Sequence, residues 1–141
     1  MARRIARPIH VVVAWLFVVG LLVQVFLAGM GVFDTFANFA THRDFGYALT
    51  VVPVVLIVTS LVGGFGRMEA IAAAVMFGQF ILQSVLVFQG DSVPAIAALH
   101  PVNGFLILLI AVWLARDATH RWRVPVHEQP PEPAAQESAT G

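Results

Sequence analysis

The sequence predicts an all-α membrane protein: a four-transmembrane-helix bundle made of two tandem helical hairpins. Three observations carry this expectation. The 141 residues are 59% hydrophobic and only 11% charged, far from the balance of a soluble domain. They hold four apolar runs, each long enough to cross the roughly 30 Å hydrocarbon core of a bilayer. A short pattern centred on a histidine also occurs twice, once in each half of the chain, which marks an internal repeat.

The first helix is expected over about 9–31. Arg3, Arg4 and Arg7 precede it, and only His10 and Gln24 interrupt it with strongly polar side chains. A secretory signal peptide also starts with basic residues, but its apolar region is only about 7–15 residues long, so this run reads as an uncleaved span. The second helix is expected over 35–63. Asp34 lies eight residues before His42, and Ser92 eight before His100; both are residue types that accept hydrogen bonds from a helix's first turn and are read as N-caps. Pro53 should kink the second helix, whereas Pro94 suits a first turn, where a missing N–H has no partner to lose. Gly63, Gly64 and Gly66 mark the tight connection between the halves, with Arg67 and Glu69 expected in water. The third helix is expected over 69–89, with Gln79 and Gln83 on one face, and the fourth over 93–116. Residues 1–123 then form one transmembrane domain. Residues 124–141, rich in Pro, Glu, Ala and Gln, are expected to be a disordered cytoplasmic tail.

Orientation follows from the arginines, since short loops rich in Arg or Lys stay cytoplasmic. Seven of the eight lie before the first helix, between the second and third, or after the fourth; only Arg43 lies on the other side. The chain is thus expected in the cell membrane as a multi-pass protein with both termini cytoplasmic and the lipid bilayer as its first partner.

Composition excludes several functions. There is no cysteine, hence no disulfide, thiolate metal site or thioether haem attachment. With zero net charge and no basic face, nucleic acid is not a partner. No phosphate loop, no H-E-x-x-H and no pair of membrane carboxylates is legible, so an unassisted hydrolase is not expected; if the chain is an enzyme at all, it is an oxidoreductase component. His10, His120 and His127 read as solvated.

The repeat carries the candidate chemistry. Ala40-Thr41-His42-Arg43-Asp44-Phe45-Gly46-Tyr47 matches Ala98-Leu99-His100-Pro101-Val102-Asn103-Gly104-Phe105, 58 residues on. Upstream, Gln24 to Gly31 matches Gln83 to Gly90 after a one-residue slip. Two hairpins entering the membrane in the same direction can be related by a pseudo-twofold axis along the membrane normal, which sets His42 and His100 at one depth across the bundle. Opposed imidazoles in a helical bundle suit the two axial positions of a haem iron. Gly46 and Gly104, one turn beyond the histidines, would let a macrocycle approach the backbone, with Phe45, Tyr47 and Phe105 at its edge. Arg43 would pair a propionate. The competing reading is a wet, boundary histidine with glycines that serve helix contact; it applies most to His42, beside Arg43 and Asp44, and less to His100.

Gln24-Val25-Phe26-Leu27-Ala28-Gly29, the histidine early in the second helix and Leu99-His100-Pro101-Val102-Asn103-Gly104 together resemble one half of the haem A synthase family over roughly 9–115. That family pairs histidines on the second and fourth helices of each of two bundles; the resemblance implies that His42 and His100 are the ligands. This chain has one bundle and lacks the family's outer-loop cysteine pair and its glutamate near the reactive haem. What the resemblance implies is therefore haem b, bound by two histidines for electron transfer or a haem-related role; a quinone or redox partner protein is a separate expectation for its partner. The chain is also similar to small uncharacterised four-helix membrane proteins of the domain-of-unknown-function type. The alternative function is a cofactor-free small membrane subunit or assembly factor.

Overall fold

The computed structural model describes residues 1–90 and 92–123, and these are helical with short connections. The helices are α1 (Ala2–Phe33), α2 (Asn38–Leu49), α3 (Val51–Gly63), α4 (Arg67–Phe88), α5 (Pro94–Ala97) and α6 (Leu99–Arg123). They make four membrane-length spans, with α2 and α3 forming the second and α5 and α6 the fourth. The expected tail, 124–141, lies outside the described residues.

Each discontinuous span breaks at a place the sequence explains. Proline has no N–H to give the carbonyl four residues back. The second span breaks at Thr50, three residues before Pro53, and the fourth at Ala98, three before Pro101. At the first break the chain tightens, with Thr50 N–H on Tyr47 O and the Thr50 hydroxyl on Gly46 O. Pro53 thus interrupts its helix as the sequence led us to expect, and Pro101 does the same unannounced.

The expected caps are corrected. Asp34 closes α1 instead of opening α2, and its carboxylate accepts from the Asn38 side chain at 2.9 Å. Residue 37 holds the N-cap place of α2 and Val93 that of α5, neither with a side-chain bond. Asn38 competes more effectively for Asp34 than the free N–H groups do. His42 consequently sits about one turn into its helix, not two.

The connection between the halves uses glycine where backbone geometry demands it. Gly64 ends α3 in the left-handed region at φ 66°, and Gly66 stands at φ 106°. Phe65 N–H returns to Ser60 O at 3.0 Å, a helix-terminating closure that sends the Phe65 side chain back beneath the bundle.

In cross-section α1 packs against α3 and α6, and α4 completes the ring by packing against the same two. The first and third spans are therefore diagonal, as are the second and fourth. Ala14, Phe17, Leu56, Ala73, Met76, Ile107, Ala111 and Leu114 fill the centre. Large apolar side chains also cover the outside, including Leu16, Val19, Phe26, Val58, Leu61, Ile81 and Leu109. A bundle apolar on both faces belongs in lipid.

Candidate functional site

At the end of the bundle away from Gly64, α2 and α6 bring His42 and His100 together across the diagonal. Their ring centroids are 6.1 Å apart and the rings are inclined at 68°. Each ring is held by the same device. His42 Nδ1 lies 3.0 Å from the main-chain oxygen of Gln24 in α1, and His100 Nδ1 lies 3.4 Å from that of Gln83 in α4. A carbonyl only accepts, so both Nδ1 atoms carry the hydrogen and both Nε2 atoms keep their lone pairs. The separations of 18 and 17 residues reproduce the one-residue slip of the sequence repeat.

The glutamines complete a polar layer. Gln24 Nε2 donates to His42 O at 2.8 Å, while Asn103 Nδ2 donates to Gln79 O and to Gln83 Oε1, both at 3.0 Å. Gln24 Oε1 and Gln79 Oε1 are buried without a partner, so this layer has acceptor capacity left over. Gly46 and Gly104 are needed by it: a Cβ on Gly46 would stand 2.6 Å from Gln24 Nε2, and one on Gly104 would stand 3.3 Å from Gln83 Nε2. Phe39, not foreseen in this place, edges onto His42 at 6.4 Å and lies flat against Gly31. Phe45 packs on the core, whereas Tyr47 and Phe105 are more than half exposed. Arg43 is exposed and paired with its neighbour Asp44 at 2.9 Å.

The opposite end overturns three readings made from the sequence. His10, expected in water, is fully buried, and so is Glu69. His10 Nε2 meets Glu69 Oε2 at 3.4 Å, and His10 Nδ1 meets Thr59 Oγ1 at 2.8 Å. Phe65 stacks on the imidazole at 4.5 Å, and the Arg7 guanidinium lies 5.0 Å over the Phe65 ring. Asp117 in α6 is a charged neighbour of Glu69, so two carboxylates of the bundle do adjoin. They are 48 residues apart in the chain, which hides the pairing from any local pattern. His10 did leave a signal: with Ala14, Phe17 and Leu21 it follows the spacing of the buried stripe of α1. The N-terminal arginines also bind main-chain carbonyls. Arg3 bonds the carbonyls of Gly63 and Gly64, and Arg7 that of Arg121, placing cations at the negative ends of α3 and α6.

Among the described residues no three His, Asp or Glu side chains gather as a metal site, and the His42–His100 pair offers two protein ligands. Comparison with curated proteins and with solved structures found no match to the chain. Residues 24–90 match the family described as "Family of unknown function (DUF6220)"; over this stretch, which takes in Gln24, His42, Gly46, Glu69 and Gln83 but stops short of His100, the chain is similar to that family.

Proposed function

We propose that this four-helix membrane protein binds one b-type haem through His42 and His100, in an electron-transfer or haem-related role. The observation that carries the reading is the repeated geometry of the pair. An atom ~2 Å from an imidazole nitrogen on each side sets the two ring centres about 6 Å apart, close to the 6.1 Å found. Each Nδ1 is also turned onto a main-chain carbonyl, the arrangement that fixes a ligating imidazole's tautomer and frees Nε2. Two protein ligands suit an iron that brings its other four donors with it. A haem supplies one-electron exchange when bound; the chain's part is to hold both rings still between Gln24 and Gln83. Arg43 reaches a propionate only by leaving Asp44. The partner is then a quinone or a redox protein, and both termini are cytoplasmic.

One observation favours the second reading, a cofactor-free subunit or assembly factor. The space beside Gly46 and Gly104 is taken by Gln24 and Gln83, which would have to swing aside for a macrocycle.

Absorption spectra of protein purified from haem-supplied cells separate the two. Haem binding predicts a Soret band with sharp reduced α and β bands, lost in both His42→Ala and His100→Ala. Colourless protein, or a low-spin spectrum unchanged in both variants, sinks the ligand pair. Reporter fusions test orientation: a periplasmic-type reporter should be active after Gly90 and silent after Gly66, and the reverse would overturn it.

A further inference from the structure

The His10–Glu69 pair has no part in that reading, yet it is the most completely enclosed polar cluster described. We infer that it is a proton-binding site, holding one exchangeable proton between His10 Nε2 and Glu69 Oε2, with Asp117 as its mouth to water.

The inference rests on counting donors. Thr59 has one hydroxyl hydrogen. Its Oγ1 lies 2.8 Å from Val55 O and 3.3 Å from Leu56 O, the usual resting place of a helix hydroxyl. With that hydrogen spent on the helix, Thr59 Oγ1 accepts from His10, so Nδ1 is protonated. Nε2 then faces Glu69 Oε2 in one of two ways. Either it is bare and the carboxyl carries the proton, or it is protonated and the ring is an imidazolium beside a carboxylate. Both arrangements contain the same one proton. Without it, a nitrogen lone pair would face a carboxylate lone pair where water does not reach, a costly arrangement.

The charged neighbours allow the proton to come and go. Arg7 approaches from α1 but is engaged by Phe65 and Arg121 O, and Arg3 is engaged by the α3 terminus. α3 contributes only the hydroxyls of Thr59 and Ser60, and Ser60 is turned onto Ile57 O. From α6 come Asp117 and Arg121, which are paired with each other, the Asp117 side chain being one quarter exposed. Glu69 Oε1 is buried without a donor, and Asp117 is a charged neighbour of that carboxyl. A proton arriving at Asp117 from water can therefore pass to Glu69, and from there onto the shared position. Release takes the shared proton itself: it passes to the Glu69 carboxyl and leaves past Asp117, while Nδ1 keeps its hydrogen on Thr59 Oγ1. The Nε2 lone pair then faces the carboxylate, and that cost is what makes the pair hold its proton.

The test is ¹⁵N nuclear magnetic resonance of the full chain in lipid vesicles, labelled at histidine, from mildly acid to alkaline pH. His10 is assigned through whichever of His10→Asn or Glu69→Gln inserts. At neutral pH, His10 should carry a proton on Nδ1, as imidazolium or as the Nδ1–H tautomer. At higher pH the shared proton should be lost in one single-proton step read at Nε2, with Nδ1 still protonated. That step should vanish in Glu69→Gln, and Asp117→Asn should slow it without removing it. An Nε2–H tautomer already present at neutral pH, or a titration unaffected by Glu69→Gln, overturns the inference.

Discussion

The two ends of the bundle use the same residue type in opposite ways. At one end, His42 and His100 each spend Nδ1 on a carbonyl and keep Nε2 in reserve, in a layer that is half open and rich in glycine. At the other end, His10 spends both nitrogens, one on Thr59 and one on Glu69, and is roofed by Phe65. The difference lies in the second nitrogen: at one end it is left unengaged, and at the other it is spent on a carboxylate, which locks the ring from both sides.

The sharpest way to break this comparison is to remove each ring in turn. Deleting one partner of a buried, paired site leaves the other uncompensated, so His10→Ala or Glu69→Ala should each cost about 3–5 kcal/mol of stability. His42→Ala and His100→Ala lose one main-chain hydrogen bond each and should cost about 1 kcal/mol. Unfolding in mixed micelles measures both; equal losses at the two ends would erase the distinction.

A smaller effect is expected at the turn that joins the halves. Gly64→Ala forces a side chain into the left-handed region at φ 66° and against Arg3, which should cost roughly 1–2 kcal/mol. A neutral result in the same assay would mean that the turn relaxes and that Phe65 does not depend on it to cover His10.

Within the repeat, the two glycines sharpen the picture further. Gly46→Ala must dislodge Gln24 from His42 O, and Gly104→Ala only crowds Gln83. The first should be the less stable by about 1 kcal/mol, the worth of that hydrogen bond. Parity would show that Gln24 finds another partner at no cost. The smallest effect belongs to Arg43→Gln: its pair with Asp44 is solvent-exposed, so the melting temperature should not change, while any bound haem should become easier to extract.

Much of the architecture was legible because lipid leaves a chain few choices. Backbone groups in hydrocarbon must be satisfied within the segment, so four long apolar runs mean four helical spans, and proline at 53 marks an interruption whatever surrounds it. The histidine repeat was equally readable, since two copies of one local pattern fold into two copies of one local structure; the paired bonds to Gln24 and Gln83 are its direct expression. Capping was misread because Asp34 had two possible partners, and only the folded loop chose Asn38.

The His10 end shows what tertiary structure alone decided. A lone histidine near a run of arginines, a glutamate after a glycine turn and an aspartate late in the last helix each suit water when taken singly. The burial of the first two depends on how Phe65 is thrown back by the Gly64 turn, and on α1 meeting α3 and α6 side by side. Enclosure is a property of several elements at once, and a one-dimensional pattern reports only which face of each helix turns inward, not what will be waiting there.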